Sequence, residues 1–186
     1  MALGISMVVA VLGVVVRARS SAFFVRPHSP MPLTARIRPK PGDVIEIPTP
    51  SGFAYAHFTH KHKRFGALIR ILPGLFPQPP PDFSSLVQKK AQFVTFFPLG
   101  AACNRQIVRV VAEETIPAAA QEFPLFRCGV RASDGLVHTW WLWDGEREWK
   151  IGSLKPDQHH LPVRAIWNDT LLVERILSGW RHEMET

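Results

Sequence analysis

The segment HFTHKHKR, residues 57–64, concentrates side chains that can do chemistry. Three of its eight residues are histidines, and three more are lysine or arginine. A His-x-His pair such as His60 and His62 can supply a general base or two metal ligands. The cations beside them, Lys61 and Arg64, favour an anionic transition state or an acidic partner. Since a solvated turn has the same composition, the segment predicts a polar turn, an anion-facing patch or a metal site.

A metal site at this segment needs ligands from elsewhere in the chain. Side chains alternate along a β-strand, so His60 and His62 are expected to point to one side and His57 to the other. A further ligand must therefore be distant in sequence, and the candidates are Asp82, His138, Asp157, His159 and His160. We take His60, His62 and Asp82 as the candidate set for a divalent metal ion. The cations of the segment repel such an ion, so the need for a cofactor stays open.

A second candidate region is the tryptophan-rich segment HTWWLWDGEREWKIG, residues 138–152. Two strand-like stretches, 138–143 and 146–151, flank the pair Asp144-Gly145. An Asp-Gly pair supplies the positive φ angles of a type I′ turn. The segment therefore predicts a two-stranded antiparallel hairpin.

The aromatic side chains of this hairpin offer walls for an apolar pocket. His138 begins the first strand, where an imidazole beside aromatic rings can act as a base. Trp141 and Trp143 are expected on one face of the strand, with His138 and Trp140 on the other. We take Trp140, Trp141 and Trp143 as candidate substrate-binding residues. Packing inside the protein core is the alternative role for them.

The elements around these segments indicate an α+β fold that is mainly antiparallel β. The chain has 186 residues, 46% of them hydrophobic, which is enough for one domain with a substantial core. Its 17 prolines and 12 glycines favour short strands and turns over long helices. The best helical pattern, NDTLLVERILSGW, has Asn168 or Asp169 as its cap and Gly179 at its end. We expect a twisted sheet or partly closed barrel with a C-terminal helix.

The N-terminal residues carry most of the net charge. Of the formal charge of +7, residues 1–41 hold +6, because they contain six basic residues and no acidic one. The rest of the chain is nearly neutral, which disfavours a nucleic-acid partner. The apolar run at residues 2–16 is shorter than the roughly 18 residues of a membrane-spanning helix, so a membrane partner is also disfavoured. We interpret residues 1–38 as a leader outside the fold and residues 39–186 as a single globular domain.

The two cysteines, Cys103 and Cys128, form neither a CxxC pair nor a disulfide framework. We interpret them as reduced thiols of a cytoplasmic protein. The chain also has no Gly-x-Ser-x-Gly elbow, no His-Glu-x-x-His helix and no glycine-rich phosphate loop. Serine hydrolases, zincins and P-loop enzymes are therefore disfavoured.

Four motifs of the chain are similar to those of a known family. They are GDVIEIP at 42–48, FPLFRCGVR at 123–131, WWLWDGEREWKIG at 140–152 and LPVRAIWNDTLLVERILSGW at 161–180. Over residues 39–180 the chain resembles the family described jointly as immunity protein 26 and HocA-type phosphotriesterase. The resemblance implies two functions, because most relatives are cytoplasmic immunity proteins that neutralise a bacterial toxin by binding it, whereas HocA is a small organophosphate hydrolase. The motifs are aromatic and structural, and they bring no set of catalytic residues with them.

Two functions of different classes follow for this chain. A hydrolase of aryl or vinyl phosphotriesters, our first hypothesis, needs an imidazole to activate water, a cation near the phosphoryl oxygen and an apolar pocket for the leaving group. The residues assigned to the first two roles are His60, His62, His138, Lys61 and Arg64. The alternative is an immunity protein that binds a toxin through aromatic anchors and charge complementarity, without turnover.

Overall fold

A computed structural model describes residues 36–185, which form eight β-strands and three α-helices. The strands are β1 (Asp43–Thr49), β2 (Gly52–His62), β3 (Gly66–Ile71), β4 (Phe93–Phe97), β5 (Arg109–Glu113), β6 (Phe126–Gly129), β7 (Trp140–Trp143) and β8 (Glu148–Gly152). The helices are α1 (Ser84–Gln88), α2 (Leu99–Asn104) and α3 (Asp169–Leu177). The predicted leader, residues 1–38, lies almost wholly outside the described residues. Within residues 36–185 no helix has the length and apolar character needed to cross a bilayer.

The first five strands form an antiparallel sheet in the order β4-β3-β2-β1-β5. Because side chains alternate along each strand, this sheet presents two buried faces. One face, which we call the helix face, packs Ile45, Phe58 and Ile69 against residues of α2 and α3. The opposite face, which we call the far face, carries Tyr55 and Leu68 in two smaller clusters. Both faces are therefore covered, and the space between the two far-face clusters is where a site can form.

The other three strands form a second antiparallel sheet in the order β6-β7-β8. Its aromatic residues pack on the far face of the first sheet, where Phe126 stacks on Phe96 with ring centroids 5.3 Å apart. The segment 162–167 joins the two sheets. The Arg127 N–H donates to the Pro162 carbonyl at 2.9 Å, and the Trp167 N–H donates to the Phe96 carbonyl at 3.0 Å.

Helix α3 begins and ends as its sequence predicts. The Asn168 side-chain oxygen accepts the Leu171 N–H at 2.8 Å, which satisfies one of the free donors of the first turn. Gly179 has a φ of +65°, the left-handed conformation that commonly ends a helix. Leu172 and Ile176 lie four residues apart and are both buried against the sheet. The amphipathic face of α3 therefore covers the helix face.

The predicted fold class is confirmed: the chain is mainly antiparallel β with a C-terminal helix, and the sheets are twisted rather than closed into a barrel.

The predicted type I′ turn is wrong. Four residues, 144–147, connect the strands, and only Gly145 has a positive φ, of +103°. The Asp144 carboxylate instead accepts the N–H groups of Glu146 and Arg147, at 3.0 and 2.7 Å. Its side chain thus organises a longer loop.

Candidate functional site

A β-bulge in β2 decides where the histidine segment points. The pairing register with β3 shifts between Phe58 and His60, so Thr59 is an extra residue in β2. Directly opposed residues share a face, and the partners of His57 and His60 on β3 are residues 70 and 68, which lie two apart. His57, His60 and His62 therefore all lie on the far face. The prediction that His57 faces away from the other two is wrong.

The His60 ring is held at both nitrogens. Its Nε2 lies 2.9 Å from the Gln121 carbonyl, so this nitrogen carries a proton and donates it. Its Nδ1 lies 3.0 Å from the Thr59 hydroxyl oxygen, which is also 3.3 Å from the Leu68 carbonyl. The ring edge also packs on Phe123, with centroids 5.4 Å apart. His60 is thus oriented by the 121–123 loop.

The His62 ring is part of an aromatic cluster. Its Nε2 donates to the Gly145 carbonyl at 3.1 Å, and its Nδ1 accepts the N–H groups of Arg64 and Phe65 at 3.2 and 3.1 Å. The ring meets Trp143 edge to face at 5.1 Å. Both nitrogens are committed to backbone groups, so His62 organises the β2–β3 turn and the loop between β7 and β8.

A cleft of about 590 Å³ opens on the far face beside His60. This volume is within the range of roughly 300 to 1,000 Å³ that small-molecule sites occupy. Its apolar lining includes Leu68, Phe93, Pro117 and Pro124. Its titratable and charged lining residues are His60, Arg70, Lys89, Lys90, Glu122, His160, Arg181, His182 and Glu183. With the imidazoles neutral, four cations face two carboxylates, so the cleft has an excess of positive charge.

Arg70 is the buried cation of the cleft. Its side chain donates to the carbonyls of Val87 and Lys89, both at 2.6 Å, and the residue is only 6% exposed. Burial lowers the pKa of its guanidinium from the usual value. Sequence reasoning missed this residue, although an arginine inside the apolar run FGALIRIL is a detectable signal.

His182 is the buried imidazole of the cleft. The N–H groups of Val94 and Val163 point at its two ring nitrogens, both at 3.3 Å. A neutral ring has one lone pair and one N–H, so it can accept from only one of them. Burial first, and then the positive charge of Arg127, lowers the pKa of His182 to about 4. The ring is therefore neutral near pH 7. Nothing in the segment RHEMET marks this histidine as a buried residue.

The exposed rim of the cleft carries polar groups that have no partner within the part of the chain that the structure describes. His160 is exposed and forms no hydrogen bond with another side chain or backbone group of residues 36–185. Lys89, Lys90 and Arg181 are also exposed, and within the same range none forms an ion pair. These four side chains are free to contact a ligand in the cleft.

His60 is the one predicted site residue that lines the cleft, and three of the others, Lys61, Arg64 and His138, lie elsewhere on the surface. Lys61 is exposed and pairs with Ala67, a member of the helix-face core, so it points away from the cleft. Arg64 is exposed at the β2–β3 turn. His138 lies in an exposed stretch, where its Nε2 is 2.7 Å from the Asp134 carboxylate. The structure does not bring any of them to His60.

The predicted tryptophan pocket is largely packing. Trp140 is buried, with the Arg127 guanidinium 5.0 Å from its ring centre, and Trp143 is buried in the aromatic cluster around His62. Trp141 is half-buried beside the same cluster. None of the three lines the cleft. Their surroundings fit the alternative role, which is packing inside the protein core.

The three predicted metal ligands are not assembled. Asp82 accepts the N–H groups of Ser84 and Ser85 at 2.9 and 3.1 Å, and bonds to Ser84, from its hydroxyl and its N–H, lower the pKa of this carboxyl to about 2. The Nε2 atoms of His60 and His62 donate to different backbone carbonyls. Within residues 36–185, no group of three His, Cys, Asp or Glu side chains is arranged to hold a metal ion.

No family model matches the chain, and no curated protein or solved structure matches it. The chemistry of the cleft is therefore the basis for a functional proposal. The cleft offers three imidazoles, of His60, His160 and buried His182, beside an excess of positive charge and a partly apolar wall.

Proposed function

We propose that the protein is a small phosphotriester hydrolase whose substrate binds in the cleft. The supporting observation is that the cleft gathers imidazoles, apolar side chains and cations that form no ion pair within residues 36–185 around one volume of about 590 Å³. These are the three components that hydrolysis of an aryl phosphotriester needs. The resemblance to the immunity protein 26 and HocA-type phosphotriesterase family implies this reaction as one of two functions.

His160 is the proposed base, because it is the exposed imidazole of the cleft with no protein partner among residues 36–185. It accepts a proton from the attacking water as the new oxygen–phosphorus bond forms. His60 lines the same cleft, and Gln121 and Thr59 fix the orientation of its ring. Of the residues predicted from sequence, His60 is retained in the proposed site.

The cations stabilise the charge that develops on the phosphoryl oxygen. Lys89, Lys90 and Arg181 are free to approach it, and buried Arg70 adds a fixed positive potential from below. An aryloxide leaves with little need for an acid, because its charge is delocalised. The apolar lining around Leu68 receives its ring.

The test is hydrolysis of a chromogenic aryl diethyl phosphate by the purified full chain. His160→Gln should lower kcat/KM about 100-fold or more, since a general base contributes roughly 10² to 10⁴. The matched control is His159→Gln, an adjacent histidine that does not line the cleft. Full activity is expected in that variant. A parallel assay with a chelator reports whether turnover depends on a metal ion.

Absence of turnover above the uncatalysed rate would overturn this proposal. Equal losses in His159→Gln and His160→Gln would refute the assignment of the base. The circular dichroism spectrum of each variant is measured beforehand to verify that it is folded. A loss of activity can then be distinguished from a loss of structure.

An immunity protein is the second candidate function. Exposed Lys89, Lys90 and Arg181 favour an acidic partner, because they lie at one rim and have no ion-pair partners among residues 36–185. In this case a bacterial toxin with an acidic surface would bind tightly, the complex would weaken at high salt, and the protein would show no turnover.

A further inference from the structure

The positive charge of the cleft exceeds what a neutral phosphotriester requires. Among residues 36–185, none of the four cleft cations forms an ion pair, whereas several cations outside the cleft do. The ion-paired lysine and arginines are Lys40, Arg109, Arg131, Arg147, Arg164 and Arg175. The cleft therefore holds cations that form no ion pair with a carboxylate of residues 36–185.

The burial of Arg70 makes the excess of positive charge in the cleft more costly. The two backbone carbonyls that receive its hydrogen bonds carry only partial charges. No carboxylate of residues 36–185 forms an ion pair with it, and burial lowers the pKa of its guanidinium. A buried charge without a counter-charge is costly. An anion in the cleft would supply the missing negative charge.

Two carboxylates, Glu122 and Glu183, also line the cleft and oppose an anion. Both are exposed, so water and salt screen them more than they screen buried Arg70. Four cations against these two carboxylates leave the cleft net positive. An anion is thus favoured over a cation or a neutral molecule of the same shape.

The reaction proposed above produces such an anion. Water forms the new oxygen–phosphorus bond, and the aryloxide leaves with the electron pair of the broken bond. Both protons of the water pass to the base and to solvent. The phosphorus then carries two alkoxy groups and two oxygens that share one negative charge.

We propose that the cleft binds a dialkyl phosphate anion through Lys89, Lys90 and Arg181, and that this product therefore inhibits the hydrolysis competitively. The identity of the anion rests on the proposed function, whereas the preference for a phosphoryl anion rests on the charges of the cleft. Phosphoryl oxygens suit these side chains, because lysine and arginine donate several charge-assisted hydrogen bonds to such oxygens.

Isothermal titration of the full chain with diethyl phosphate tests the inference, with triethyl phosphate as the uncharged control ligand. Diethyl phosphate should bind, and triethyl phosphate should bind at least about tenfold more weakly. Raising the salt from about 0.05 to 0.5 M should weaken binding of the anion, because exposed charges are screened. Equal binding of both ligands, or no binding of the anion, would overturn the inference.

Charge variants test the inference by changes of the Kd in two opposite directions. Lys89→Gln/Lys90→Gln should raise the Kd for diethyl phosphate roughly fivefold to tenfold, since each exposed charge pair contributes a factor of about 2 to 5. Glu122→Gln removes an opposing carboxylate and should lower the Kd about twofold to fivefold. The control Lys63→Gln/Lys150→Gln removes two exposed lysines outside the cleft and should leave the Kd unchanged. A misfolded protein cannot bind more tightly, so the Glu122 variant guards against loss of structure.

The two proposals fail in different assays. If diethyl phosphate binds as expected but no phosphotriester is hydrolysed, the anion site stands and the hydrolase proposal falls. If triesters are hydrolysed but diethyl phosphate neither binds nor inhibits, the hydrolase proposal stands and the inference is refuted.

Discussion

His182 should make the stability of the protein depend on pH. Its ring is buried, and burial is the main reason that its pKa falls from the ordinary 6.5 to about 4. The positive charge of Arg127 lowers the pKa further, while the carboxylates of Glu183 and Glu185 oppose the shift. The folded protein therefore resists protonation of this ring, whereas the unfolded chain does not.

The sign and the size of the effect follow from this difference. Between pH 6.5 and about 4, the unfolded chain binds a proton at His182 that the folded protein does not bind, so acid favours unfolding. The stabilisation is complete above pH 6.5 and is lost as the pH falls through that window. At about 1.4 kcal/mol per pH unit, lowering the pH from 7.5 to 4.5 should reduce the free energy of unfolding by about 2.5 kcal/mol through this residue.

The assay is urea unfolding of the wild type and of His182→Gln at pH 7.5 and 4.5. Burial also lowers the pKa of His57, so the wild type should lose more than the contribution of His182 alone. The informative quantity is thus the difference between the two losses. His182→Gln should lose about 2.5 kcal/mol less than the wild type over this interval. Equal losses in both proteins would refute the reasoning, because a glutamine does not titrate.

Three further predictions concern local structure. Asn168→Ala should lower the free energy of unfolding by about 1 kcal/mol, because the Leu171 N–H loses its cap, and urea unfolding measures this loss. Gly145→Ala should cost on the order of 1 to 3 kcal/mol in the same assay, since its φ is +103° and the new Cβ would lie 2.9 Å from the Phe123 ring; no loss would contradict the loop geometry. Burial raises the pKa of Cys128 to about 11, so a thiol reagent at pH 8 should modify it only as fast as the protein opens, and a rate independent of added urea would contradict this.

Local signals in the sequence predicted the elements whose geometry depends on neighbouring residues. The cap and the end of α3 follow from Asn168 and Gly179, because both act within one turn of the helix. The Asp144-Gly145 pair correctly marked the connection of two strands but not its length. The Asp144 side chain binds two later N–H groups, and the hydrogen bonds of a longer loop compete with the short turn. Phe123, which comes from a distant part of the chain, packs against that loop.

The cleft could not be predicted in the same way, because one residue sets its location. Alternation along a regular strand places His57 opposite to His60, and nothing in HFTHKHKR marks Thr59 as the extra residue. The bulge moves His60 to the face that carries Arg70, and so it brings a predicted imidazole to the same cleft as a buried cation. A single-residue shift inverts the facing of every later side chain in β2. The same shift places Lys61 on the helix face. The cations that line the cleft with His60 are therefore not its sequence neighbours but Lys89, Lys90 and Arg181.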